Sequence, residues 1–426
     1  MDKKINGYLL KENLRVLKFL VFSFLILLFF GLVSAFFYYS YGASLEITMI
    51  DNQVMSFNTG RFLKADLKLD NKDNVEVLNG DKSVEIRPLN TGATNGKLML
   101  FNRIRLKNLT VNVVEEKKVY VMGNAVGIRL DVDGVLVESV SSVEDAKGKL
   151  HYPSKGAGLE NGDFLVSANG VHIDGVETFL EIVKNSNEVL IDFKRDSKLY
   201  STKITPILSK NDEKKIGLWV KDVVNGIGTI TYCTIEDDAR FGSLGHGIQN
   251  NQEQEFLPIL GGEIFYTQIA SVKRGISGEP GELQGDLLVE YKELGRIDRN
   301  CEVGIFGSIE DLLIEEKKPE MYQVGYEQHI NEGNAYILSN IEADGVNKYD
   351  VKIKRITNRP FVSPKGIIIK ITDEELLEKT GGIVQGMSGS PIIQDGRIVG
   401  AVTHVLVNQP DMGYGVLIEE MLRAGS

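Results

Sequence analysis

The sequence predicts a mainly β, multidomain chain behind an apolar N-terminal segment. Three observations carry this. Short β-type runs broken by Gly, Asn and Asp turns recur from residue 45 to the C-terminus. Residues 19–45 carry no charge and exceed the roughly 20 residues that cross a bilayer. Near the C-terminus, Gly386-Met387-Ser388-Gly389-Ser390-Pro391 leads into two apolar runs joined by Asp395-Gly396, a strong hairpin signal.

Length and composition set the limits. A chain of 426 residues allows two to four domains at roughly 100–200 residues each. The net charge of −11 implies no broad phosphate-binding surface, and no nucleic-acid partner is expected. Two cysteines, Cys233 and Cys301, are too few for a disulfide framework, and whether they pair is open. No C-x-x-C pair or Cys/His cluster suggests a metal, and no cofactor is expected.

The elements follow in order. Residues 1–18 hold Lys3, Lys4, Lys11, Arg15 and Lys18 and are expected on the cytoplasmic side. Residues 19–41 are expected to be an uncleaved transmembrane anchor, since the run is long for a signal-peptide core of about 7–15 residues. Residues 42–112 read as a small β-rich spacer without evident chemistry. Residues 113–208 combine β runs, Pro153-Ser154-Lys155-Gly156-Ala157-Gly158-Leu159, a Gly162-Asp163 turn, a run ending in Asn169-Gly170, and helical spacing over Val176–Lys184 with Phe179, Leu180 and Val183 on one face. This segment resembles a PDZ domain. The resemblance implies a peptide added at a sheet edge, cradled by a loop at Val126-Gly127-Ile128.

Residues 209–426 are expected to be a peptidase domain. Many short strands with glycine turns imply barrels. Gly275-Ile276-Ser277-Gly278-Glu279-Pro280-Gly281 lacks the spacing of a phosphate loop and reads as a β-turn. A serine set between glycines at the mouth of a hairpin resembles the nucleophile of a chymotrypsin-like double β-barrel protease. Ser388, not Ser390, is the candidate, and the N–H groups of Gly386 and Ser388 are candidates for an oxyanion hole. The nucleophile needs a base. Of five histidines, His151 and His172 lie in the PDZ-like segment and His329 in a polar one. His404 follows the hairpin and would line the substrate pocket. His246, in Gly245-His246-Gly247, sits in the first half of the domain, where a two-barrel protease carries its base. Spacing leaves the acid open among Asp222, Asp237, Asp238, Asp350 and Asp373. Asp373 also reads as a helix N-cap.

Gly226-Ile227-Gly228-Thr229, Ser243-Leu244-Gly245-His246-Gly247 and Thr380 through Pro391 resemble the SpoIVB peptidase family, and the likeness extends over anchor, PDZ-like segment and peptidase. The resemblance implies a triad of His246, Asp373 and Ser388. It further implies a sporulation peptidase exported across the forespore membrane, with its catalytic domain in the space between forespore and mother cell. Such an enzyme cleaves itself and a membrane-bound regulator of an intramembrane metalloprotease, which processes the late mother-cell pro-sigma factor. The alternatives are an HtrA-like quality-control protease, which would place its PDZ domain after the protease, and an inactive PDZ adaptor.

Overall fold

The computed structural model describes residues 18, 20–34, 45–58, 65–80, 83–100, 103–196, 198–234, 239–249, 256–286, 293–310, 319–343, 345–356 and 366–426. The chain is mainly β and divides into two compact units, 1–116 and 117–426. In the first unit, residues 20–34 are helical, and Leu20, Phe22, Phe24, Leu27, Phe29, Phe30 and Leu32 are exposed. Among the described residues no helix is long and apolar enough to cross a membrane. Of the expected anchor, residues 19 and 35–41 lie outside the described residues. The described residues between 45 and 114 form two sheets. Leu45–Ile50, Ile104–Val114, Gly92–Leu100 and Ala65–Leu69 make one, and Met55–Asn58, Ser83–Pro88 and Val75–Asn79 the other. Met49, Val75, Ile86, Val111 and Val113 fill a shared apolar core.

The second unit is built on two closed barrels. In the first, Ala125–Val140 pairs with Ile259–Tyr266, which continues through Glu293–Cys301, Gly304–Ile309, Arg240–Ser243 and Leu218–Cys233 back to Ala125–Val140. Its core holds Leu130, Ile230, Phe241, Ile264 and Ile305. In the second, Gly333–Glu342, Gly345–Ile356, Ile367–Ile371, Gln409–Leu417, Arg397–Leu406 and Pro391–Gln394 close in the same way. Ile337, Ile353, Ile369, Ile392 and Val399 line that core. Closure leaves few sheet edges free, and strands buried on their inner face read as the apolar alternation of the sequence. The expected hairpin is present. Gln394 pairs with Arg397, and Asp395 and Gly396 take φ of 49° and 73°, as a type I′ turn requires. Met321–Val324 pairs with Arg397–Leu406 of the second barrel and with Lys118–Val121, which in turn pairs with Leu218–Cys233 of the first, and so ties the two together.

The expected boundary at residue 209 is corrected. Ala125–Val140 is one continuous 16-residue strand. Its first half closes the first barrel, and its second half pairs with Phe164–Ala168 and with the start of Leu218–Cys233. The segment between residues 140 and 218 is therefore an insertion between two neighbouring barrel strands, and the first barrel begins upstream of it. The expected peptide-cradling loop is corrected for the same reason. Val126, Gly127 and Ile128 lie inside a barrel strand, paired on one side with Gly226–Gly228 and on the other with Ile264–Tyr266. Their backbone amides are spent in the ladders, and Val126 and Ile128 point into the barrel core.

The inserted module has its own core of Val135, Leu165, Ile173, Phe179, Val183 and Ile191. Helix Val176–Asn185 buries Phe179 and Val183, while Leu180, expected on the same face, is 55% exposed. Asp222 accepts the Val176 N–H at the helix start, which accounts for one of the rival aspartates. Arg195 holds the fully buried Asp163 through two charge-assisted bonds of 2.6 Å.

The closing helix, Ile418–Gly425, carries a carboxylate with a pH signature. Glu419 accepts the Glu327 N–H at 3.3 Å, and its burial pushes the carboxyl up to about 7 from 4.5. The folded state thus keeps a proton that the unfolded chain releases. Stability contributed by this site is fully present below pH 4.5 and is lost as pH rises through 7. Glu419→Gln, which retains the acceptor, is expected to raise stability at pH 8 by about 2 kcal/mol and to leave it unchanged at pH 4. Denaturant unfolding at the two pH values checks this.

Candidate active site

The nucleophile loop leaves a short helix and enters the hairpin. Asp373 caps helix Glu374–Thr380, which ends at Gly381 in the left-handed conformation. The chain then runs through 381–390 into Pro391–Gln394. Strand Glu282–Asp286, whose Leu283 packs into the second barrel's core, supports this run. Leu283 N–H donates to Gln385 O at 2.8 Å, and Gln385 N–H to Gly281 O at 2.9 Å. Strand Leu218–Cys233 grips it from across the interface. Thr229 N–H donates to Ser388 O at 2.9 Å, Thr229 Oγ1 to Gly386 O at 2.8 Å, and Thr231 Oγ1 to Gly389 O at 2.7 Å. Both threonines are fully buried. With the loop's carbonyls turned to the threonines, the Gly386 and Ser388 amides donate to no protein group among the described residues. Two free amides flanking a half-buried serine are what an oxyanion hole requires.

The two serines separate clearly. Ser390 is buried, and its hydroxyl donates to Ser339 Oγ at 3.0 Å, a structural bond. Ser388 Oγ is half-buried and donates to Thr403 O at 2.6 Å. Thr403 and His404 sit at a register irregularity between Arg397–Leu406 and Gln409–Leu417, which turns the Thr403 carbonyl out of the ladder.

His246 arrives from the other barrel. Strand Arg240–Ser243 ends in Leu244 and Gly245, with φ of 67° and 69°. A left-handed leucine is a strained conformation of the kind that clusters at functional sites. These two residues swing His246 out against His404, with ring centroids 4.5 Å apart. Gly245 itself packs on Thr403 and Val416. His246 Nδ1 lies 3.0 Å from Gly247 O. A carbonyl only accepts, so Nδ1 donates to it, which leaves Nε2 as the nitrogen that can act as a base when the ring is neutral. His246 and Ser388 thus converge on the same corner, Thr403-His404. Ser388 makes no hydrogen bond to His246 in this resting arrangement. Free catalytic sites commonly tighten such bonds only when substrate is bound.

The structure brings together Ser388, Gly386, His246 and His404. Among the described residues Asp373 bonds to main-chain amides and not to these groups. The Asp373 oxygens accept Leu376 N–H at 3.0 Å and Asp350 N–H at 3.3 Å, so the carboxylate caps a helix and latches a neighbouring strand. Asp237 and Asp238 lie outside the described residues. The remaining histidines are structural, with His151 bonded to Asp145, His172 to Asp133, and His329 accepting the Tyr326 N–H. Cys233 is buried and Cys301 partly so, and both are free thiols. Among the described residues no cluster of His, Cys, Asp or Glu would hold a metal.

A capping role makes a definite prediction for Asp373. Ser is also a good N-cap, whereas Ala is not, and the loss costs about 1 kcal/mol. Asp373→Ser is expected to keep most peptidase activity and stability, and Asp373→Ala to lose stability. A triad carboxylate would instead lose activity equally in both, on the order of 10⁴-fold. Peptide hydrolysis and thermal unfolding of the two variants decide.

Thr229 and Thr231 were not predicted from sequence. Their bonds run to main-chain atoms far along the chain, and no local spacing marks them.

No curated protein matches the chain. Among solved structures it is similar to Rv3671c of Mycobacterium tuberculosis H37Rv, in the inactive form of a serine-to-alanine mutant. That likeness has 11% identity and a TM-score of 0.23, over 47% of this chain and 82% of that one. Residues 212–422 match the family model described as SpoIVB peptidase S55. That segment contains Ser388, His246, Thr229 and the whole second barrel, while the strand that closes the first barrel lies upstream of it. Through residues 212–422 the chain belongs to the SpoIVB peptidase S55 family, and it is a serine peptidase.

Proposed function

We propose that the chain is a membrane-anchored serine endopeptidase of sporulation signalling. It cuts itself and a membrane-bound regulator of an intramembrane metalloprotease, and so leads to processing of the late mother-cell pro-sigma factor. The observation that carries this reading is the Ser388 turn, with its two free amides and its facing His246, inside a segment of the SpoIVB peptidase family. The exposed apolar helix at 20–34, with basic residues before it, supports an anchor with the N-terminus in the forespore cytoplasm. The catalytic unit then faces the space between forespore and mother cell.

In the mechanism, Ser388 Oγ turns from Thr403 O towards His246 Nε2 and attacks the scissile carbonyl as His246 takes its proton. The Gly386 and Ser388 amides receive the oxyanion, each worth roughly 3 kcal/mol of barrel-buried stabilisation in related sites. His246 returns the proton to the leaving amine, and water repeats the sequence to free the acyl group. The inserted module is read as the PDZ-like part, which admits peptide segments. Its strand Leu218–Cys233 begins beside helix Val176–Asn185 and carries an exposed Trp219.

N-terminal sequencing of products from the full chain and from Ser388→Ala tests the reading. New N-termini should arise only with the intact serine, and the membrane-bound partner should be cut only by that form. Identical fragments from both would sink it, and wild-type digestion of any unfolded protein would favour a quality-control protease.

A further inference from the structure

We infer that Asn300 is a positioning residue for His246, acting through the carbonyl of Gly247. The inference rests on the reading of His246 as the base for Ser388. Asn300 lies on Glu293–Cys301, a strand of the first barrel, and its side chain reaches across to the loop that follows His246. Ile248 N–H donates to Asn300 Oδ1 at 2.8 Å. Asn300 Nδ2 donates back to Ile248 O at 2.9 Å and to Leu257 O at 3.0 Å. One amide thus satisfies both main-chain groups of the residue next to Gly247 and ties Ile248 to Leu257, which also bond through Leu257 N–H to Ile248 O at 3.0 Å. Such a reciprocal pattern also fixes which end of the amide is oxygen.

Gly247 is pinned on its other side. A Cβ there would fall 2.5 Å from Cys301 O and from the Phe256 ring, so the backbone lies directly on the strand that carries Asn300. Its carbonyl therefore has a fixed direction, and that carbonyl holds the His246 Nδ1–H at 3.0 Å. Fixing Nδ1–H leaves Nε2 as the basic nitrogen, the tautomer that a proton transfer from Ser388 requires. A barrel strand thereby sets the imidazole through three side-chain bonds and one carbonyl. Loosening the clamp lets the loop carry Gly247 O away, and the two tautomers then compete.

The test uses the full-length chain and two readouts. Long-range proton–nitrogen spectra of histidine-labelled protein, with His246 assigned by its loss in His246→Asn, report the tautomer. A fluorophosphonate probe reports the pH-dependent rate of Ser388 modification. The wild type is expected to show Nδ1–H. Asn300→Ala, folded by circular dichroism, is expected to show mixed tautomers and labelling slower by about tenfold or more. Should Asn300→Ala not fold, Asn300→Asp carries the comparison, since it keeps the bond from Ile248 N–H and loses the two it donates. A wild-type Nε2–H tautomer, or a folded Asn300 variant with wild-type tautomer and rate, overturns the inference. Labelling of Ser388→Ala at the wild-type rate would instead remove the reading of the site itself.

Discussion

Ser388→Ala is expected to abolish peptide hydrolysis, with a loss on the order of 10⁴–10⁶-fold, while the chain stays folded. The hydroxyl removed makes one bond, to Thr403 O, in a half-buried position, so its structural cost is about 1 kcal/mol. The main-chain groups around it remain held by Thr229 and Thr231. Ser390→Ala is the matched control. That serine is fully buried and bonded to Ser339, so its loss is expected to lower stability by about 1 kcal/mol and to spare most of the activity. Hydrolysis of a peptide substrate, fluorophosphonate labelling and thermal unfolding separate the two. Equal activity loss in both variants, with both folded, would mean that the loop as a whole and not the Ser388 hydroxyl does the chemistry.

The part of this site that could be read from sequence is the part that is local. Ser388 sits three residues before a hairpin whose turn, Asp395-Gly396, is specified by its own two residues. The glycines around Ser388 announce a backbone that approaches something closely. His246 was found because the histidines are few and because Leu244-Gly245-His246-Gly247 breaks a strand pattern. Asp373 shows the limit. The residues after it form a helix whether or not the carboxylate reaches the active site, and spacing along the chain cannot tell a cap from a catalytic partner. In the fold, both oxygens are used by amides of its own neighbourhood.

The domain division failed for a different reason. The pattern of Ala125–Val140 is apolar and alternating throughout, because both of its halves are buried, one in the barrel and one in the inserted module. A period of two records that a strand has a buried face and is silent about which core buries it. The Val126-Gly127-Ile128 reading followed from placing the whole strand in the inserted module. Thr229, Thr231 and Asn300 lie beyond sequence reasoning altogether. Each acts on main-chain atoms of a distant segment, and only closure of the barrels brings them there. The insertion has a functional consequence. The strands that frame the module, Ala125–Val140 and Leu218–Cys233, are the same two that continue into the barrel beneath Thr229. A peptide docked on the module would therefore load strands that end at the nucleophile loop.

Gly389→Ala is expected to be strongly damaging. Gly389 has φ of 98°, a region that alanine enters only with strain. Its backbone lies in the seam between the barrels, where an added Cβ would stand 1.9 Å from Thr229 O and 2.6 Å from Leu244 N. Neither atom can yield. Thr229 O accepts the Ser243 hydroxyl at 2.6 Å and the Leu244 N–H at 3.3 Å, and Leu244 is the left-handed residue that aims His246. A shift of the loop would also break Gly389 N–H to Val402 O and Thr231 Oγ1 to Gly389 O, both buried. The combined strain and lost bonds are expected to cost about 3 kcal/mol or more in stability, read as a lowered unfolding midpoint. Any folded remainder is expected to label poorly at Ser388, since the methyl pushes apart the two loops that must meet for proton transfer. Gly396→Ala is the informative comparison. It shares a positive φ of 73°, but its Cβ would meet nothing within 4 Å, so it pays only the conformational strain, about 1 kcal/mol. If Gly389→Ala proved no worse than Gly396→Ala, the close approach of the two barrels at the nucleophile would not be what holds the site together.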